Sequence, residues 1–185
     1  MNVNWVFADS VVLDPAVDLI QLKEIGSFWG GWRTWRGCQT DNVICHDLGK
    51  AKDLIQRDFH NGCNFYVPNS SFALLDRPTN VKLYEGNFIH DVDHQEEIIA
   101  MHLAATTSDI VLLMGFNFSS TEKNPDKLIE HRLTNYRNLT RQAIKDNPQV
   151  QWVVIDHFGN FRKELLELEN LSKDTLDNVI GMLAN

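Results

Sequence analysis

At 185 residues, with 43% hydrophobic and 23% charged positions, the chain has the size and composition of one well-buried globular domain and is short for two. Its net charge of −8 and isoelectric point near 5.3 argue against a duplex nucleic-acid partner, because such binding draws its strength from Lys and Arg neutralising phosphates. Met1 to Asp9 carries neither a basic region nor the apolar run of about 7–15 residues of a secretory leader, and no apolar stretch approaches the about 20 residues that cross a bilayer. Cys38, Cys45 and Cys63 are odd in number and form no Cys-x-x-Cys, the usage expected of reduced, buried thiols in a cytoplasm, whether a cell's own or a viral host's.

Val3 to Ala8 is an apolar run that stops at Asp9-Ser10 and predicts a strand. A helical pattern follows over about Asp14 to Ile25, with Pro15 in its first turn. Residues 26–37 hold four glycines among three tryptophans and two arginines, which predicts an ordered loop rather than a helix. Asn42 to Cys45 predicts a short strand ending at His46-Asp47, and Leu48 to Phe59 a helix. Cys63 to Val67 predicts a strand closed by Pro68-Asn69-Ser70, Ser71 to Asp76 a short helix, and Val81 to Tyr84 a further strand. Asp93 and Glu96 have capping-box spacing at the head of a helix running to Thr106.

Asp109 to Phe118 is apolar throughout instead of alternating, the signature of a parallel strand covered on both faces. Asn124-Pro125 then supplies a cap and a first-turn proline, and Ile129, Leu133, Tyr136, Thr140 and Ile144 recur at helical spacing. Val150 to Ile155 predicts another buried strand. The C-terminus predicts paired helices, the last capped by Ser172 and stapled by Leu171 and Leu176. Alternating strands and crossover helices along residues 1–185 predict a single α/β domain of three layers, Rossmann-like, with a mostly parallel sheet of about five or six strands.

In such sheets ligands bind at the carboxyl ends of strands where the strand order reverses. That rule nominates Asp9 and Ser10, His46 and Asp47, Asn69 and Ser70, Asn117 with Ser119 and Ser120, and Asp156 with His157 and Gly159. The tryptophan-rich loop is a second candidate: Arg33 and Arg36 can grip a phosphate or carboxylate, and its tryptophans can stack on a planar ring or plug the core. Neither Gly-x-Gly-x-x-Gly nor a Walker phosphate loop occurs, and the chain names no cofactor. Gly-x-Ser-x-Gly is absent as well, which argues against an α/β-hydrolase.

His46-Asp47-Leu48-Gly49-Lys50 resembles the signature of the HD-domain metal phosphohydrolases, which implies a divalent metal activating water. No histidine precedes His46, however, and that family is all-helical. His90 and His94 are spaced as metal ligands on one helix face, but the N-cap role of Asp93 explains the segment better.

Residues 105–160 place a buried strand running into Gly115-Phe116-Asn117-Phe118 ahead of a long helix with His131, Arg132 and Tyr136. This resembles the Rossmann-type sialyltransferases and flagellin glycosyltransferases and the MptE-like pyrophosphokinases, with Asn117 where an acidic residue is more usual. The chain also resembles small proteins of large tailed bacteriophages. The resemblance implies a nucleotide- or nucleotide-sugar-binding protein, a transferase of glycosyltransferase type. Asp9, Ser10, Arg33, Arg36, Asn117, Ser119 and Ser120 would then line the ligand site, and His157, His46 and Asp156 would be the acid–base candidates. The expected partner is that small molecule, with no duplex nucleic acid and no membrane; a homo-oligomer is compatible. Two alternatives stand beside it: a non-enzymatic interaction or structural protein of viral origin, and the metal phosphohydrolase using His46-Asp47.

Overall fold

The computed structural model describes residues 1–9, 17–76, 78–85, 95–116, 126–155 and 167–183. Eight strands are described within it: β1 (Val3–Phe7), β2 (Ser27–Gly31), β3 (Asn42–Ile44), β4 (Asn64–Pro68), β5 (Val81–Tyr84), β6 (Ile110–Met114), β7 (Gln151–Ile155) and β8 (Leu171–Asp174). The helices between them are α1 (Leu19–Ile25), α2 (Trp35–Cys38), α3 (Leu48–Gln56), α4 (Asn69–Phe72), α5 (Gln95–Ala105), α6 (Lys127–Asp146) and α7 (Leu176–Leu183). All eight strands join one sheet, ordered β5-β4-β3-β2-β1-β6-β7-β8, and every pairing is parallel. The architecture is Rossmann-like, with more strands than the five or six expected.

Alternation along the strands separates the two faces. On β6, Val111 and Leu113 enter one core with Ile99, Ala100 and Ala104 of α5 and Tyr136 and Ile144 of α6. Leu112 and Met114 enter a second core with Leu22 of α1 and Val179 of α7. Val43, Phe65 and Val67 continue that second face under Ala51 and Leu54 of α3. The uninterrupted apolar run of β6 is therefore explained as expected, by helices on both sides of a parallel strand. Asn4, buried within β1, is tolerated because its amide donates to Ala104 O at 2.9 Å and Thr107 Oγ1 at 3.0 Å, tying the strand to the end of α5.

Three local expectations are corrected. The glycine-rich segment 26–37 is not a loop: its first part is the buried strand β2, held between β1 and β3, and its end is the short helix α2. Pairing on both sides satisfies the backbone, which outweighs the weak strand propensity of glycine. The long helix α6 is capped by Asp126, whose side chain accepts from Ile129 N, and not by Asn124. Ser172 lies in β8 instead of capping a helix, so the C-terminal region is a strand followed by α7, with Thr175 Oγ1 accepting from Asn178 N at 3.4 Å. The cap expected at Asp93 and the cluster His90 to His94 fall outside the described residues.

Cys38 and Cys45 are buried and Cys63 half-buried, all as free thiols. Burial pushes Cys38 and Cys63 up to about 11 and Cys45 higher still. Because the thiolate is the reactive form, native protein at pH 8 is expected to modify with a disulfide reagent at least about tenfold more slowly than urea-unfolded protein. Rapid stoichiometric labelling of native protein would contradict this packing. No helix among the described residues is long and apolar enough to cross a membrane.

Candidate functional site

The strand order reverses between β1 and β6. From β1 the chain works outward to β5, and α5 then carries it back across β3, β2 and β1 to β6 on the other side. Phe7, Met114 and Ile155 are register partners, so β1, β6 and β7 end level with one another. Gly115 follows β6 with φ of 79°, in the left-handed region that glycine enters without a steric penalty, and so turns the chain sharply at this edge.

Four groups of side chains meet beside this reversal, at the ends of β1, β2 and β3 and the first turn of α5. Asp9 follows β1. Its backbone N–H donates to Glu97 Oε1, while Arg33 Nη1 donates to its Oδ2 at 3.1 Å. Glu97 is fully buried, and its second oxygen accepts from the buried Tyr136 hydroxyl on α6. Glu96 Oε1 accepts from the backbone N–H of His46, after β3, at 2.9 Å. The His46 ring pairs through Nδ1 with the Tyr84 hydroxyl at 2.7 Å. Helix α5 thus uses two consecutive glutamates to hold the ends of β1 and β3 and, through Tyr136, helix α6.

The remaining oxygens of Asp9 and Glu96 converge. A methyl group on Gly31, the last residue of β2, would lie 2.8 Å from Glu96 Oε2 and 3.0 Å from Asp9 Oδ1. Both oxygens are buried, and among the described residues neither has a hydrogen-bond partner. Glycine leaves this space to the two carboxylates, and a larger residue would displace their oxygens. Two carboxylates brought together out of water disfavour double ionisation. Burial, reinforced by the Asp9 and Glu97 charges and opposed by the His46 N–H and Arg33, raises Glu96 from 4.5 to about 8. At neutral pH Glu96 is therefore a carboxylic acid with a proton to give. Tyr136 and Tyr84 are likewise raised, chiefly by burial, and stay protonated donors.

Of the residues nominated from sequence, the structure brings together Asp9, Arg33 and His46. Arg36 lies in α2, and Asn69 and Ser70 open α4 directly after β4. Asp47 caps α3, accepting from Lys50 N at 2.6 Å. Ser10, Asn117, Ser119, Ser120, Asp156, His157 and Gly159 lie outside the described residues. Among the described residues no group of three or more His, Cys, Asp or Glu side chains is arranged to hold a metal. Sequence reasoning missed Glu96 as a site residue, and Glu97 and Tyr84 with it. The one available signal was a pair of glutamates opening a helix otherwise apolar along Ile98-Ile99-Ala100-Met101.

Comparison with protein-family models, curated proteins and solved structures returned no match. A Rossmann-like α/β fold with a carboxylate cluster beside its switch point is the class that geometry alone defines.

Proposed function

We propose that the chain is a nucleotide- or nucleotide-sugar-binding transferase of glycosyltransferase type, with Glu96 as general acid and Asp9 as the opposing carboxylate. The observation that carries this reading is the convergence of Asp9 and Glu96 on Gly31 next to the strand-order reversal, with Glu96 carrying a proton at neutral pH. Glycosyl chemistry uses such a pair: one carboxyl protonates the leaving group while the other carboxylate faces the positive charge that develops on the sugar or takes the proton of the incoming hydroxyl. Arg33, with its side chain 63% exposed, is bonded to Asp9 Oδ2, and a ligand phosphate that draws it away would release that carboxylate. His46 acts here as a positioning group, through its backbone N–H, in place of the acid–base role nominated from sequence. The metal phosphohydrolase alternative gains no support from Asp47, whose carboxylate serves α3.

The test is a panel of nucleotide sugars, read by thermal shift and by chromatographic release of free nucleotide. Turnover of at least one is expected, with Glu96→Gln lowering it by about a hundredfold or more while the thermal shift persists. Unimpaired turnover by Glu96→Gln, or no shift and no turnover with any member of the panel, would falsify the proposal.

A further inference from the structure

A groove of about 330 Å³, bordered by Trp32, runs between α2, α3 and the turn at Phe59–Asn61. Its apolar walls include Trp32, Trp35 and Phe59, and its charged ones Lys50, Asp53 and Arg57. Trp35 meets Phe59 edge to face with ring centroids 4.7 Å apart, which fixes both rings. Lys50 Nζ lies 4.4 Å from the Trp32 ring centroid and 3.0 Å from Asp53 Oδ2, and Arg57 Nη2 lies 2.8 Å from Asp53 Oδ1. Trp5, Trp29 and Trp152 are buried in the cores, whereas Trp32 and Trp35 are half-buried and border this groove.

We infer that this groove binds the nucleobase of a nucleoside or nucleotide. The inference rests on the nucleotide reading above and gives the base a place. Indole faces favour a planar ring, because stacking buries two flat surfaces without demanding one particular base. Lys50 and Arg57 each carry more N–H groups than the single bond to Asp53 uses, and Asp53 and Asp58 offer carboxylate oxygens, so the rim presents donors and acceptors to a base edge. These two cations and two anions cancel. The groove therefore suits an uncharged heteroaromatic ring, not a polyanionic strand, in keeping with the net charge of −8. Trp32 also precedes Arg33, whose guanidinium carbon lies 5.1 Å from the same indole and whose Nη1 reaches Asp9. One side chain separates the groove from the carboxylate pair.

Tryptophan fluorescence titrated with adenosine, guanosine, cytidine and uridine tests the site, since the two bordering indoles report directly on stacking. Saturable quenching by at least one nucleoside is expected. Gly62→Leu fills the groove from its wall: Gly62 has φ of −97°, and an added Cβ makes only an ordinary contact with Phe59 O at 3.6 Å, so the fold and its melting temperature are retained. That variant and Trp35→Leu are each expected to weaken nucleoside binding about tenfold or more by calorimetry. Nucleotide binding that stays within about twofold of wild type in Gly62→Leu overturns the groove and leaves the nucleotide reading standing. Absence of saturable binding of any nucleoside or nucleotide to the wild type overturns both.

Discussion

Replacing Glu97 with alanine is expected to destabilise the fold by about 3–5 kcal/mol, a large share of the total for a domain of this size. The carboxylate is fully buried and accepts from two groups on separate elements, the Asp9 N–H after β1 and the Tyr136 hydroxyl on α6. Truncation strips both donors of this acceptor, the Tyr136 hydroxyl among them fully buried, and it leaves a void where the carboxylate stood. Tyr136→Phe removes a hydroxyl and leaves the ring stacked on Phe116, at 5.9 Å and 18°, so it is expected to cost only about 1–3 kcal/mol. Urea unfolding of the two variants checks the order. A Glu97→Ala midpoint matching that of wild type would show that the glutamate does not tie the end of β1 to α6.

Glu96 makes stability depend on pH in a direction opposite to that of most carboxylates. Its folded-state value of about 8 lies above its ordinary 4.5, so in this interval the native chain holds a proton that the unfolded chain has lost. Stability therefore falls as pH rises, by this group's contribution alone: it is full below about 4.5 and lost by about 8. The loss is on the order of 5 kcal/mol. Glutamine keeps an acceptor for the His46 N–H and cannot ionise. Glu96→Gln is accordingly expected to match wild type near pH 5 and to exceed it near pH 9, by a difference that grows through the neutral range. Urea midpoints measured for both proteins at several pH values isolate the effect, because every other titrating group is common to the two. A constant difference across the range would mean that the Glu96 carboxyl ionises as it does in water.

The site was legible from sequence to different degrees for a physical reason that particular residues show. Asp9 and His46 stand at the ends of apolar runs, so strand prediction and the carboxyl-end rule together were enough to nominate them. Arg33 was nominated for its chemistry, and its ion pair with Asp9 shows that the end of the glycine-rich segment does reach the end of β1. Glu96 and Glu97 sit in the first turn of a helix, where acidic residues are common for reasons of the helix dipole alone. Nothing in their neighbours distinguishes a glutamate facing solvent from one aimed across three strand ends. β2 and β8 escaped for a similar reason: SFWGG is too rich in glycine and LSKD too polar to carry a strand signal, and each is a strand by virtue of its pairing with a neighbour.

Local periodicity and burial are enough to specify the alternation of strands and helices and, through the apolar run of β6, a parallel sheet with both faces covered. The strand order, by contrast, emerges only in the folded chain. Folding alone brings Glu96 to Gly31 beside Asp9, and it alone sets Trp32 and Trp35 along one groove with Lys50 and Arg57. Those contacts join residues far apart in the chain, such as Asp9 with Glu97 and His46 with Glu96, and no repeating pattern along a sequence encodes which distant side chain will fill the space that a glycine leaves open.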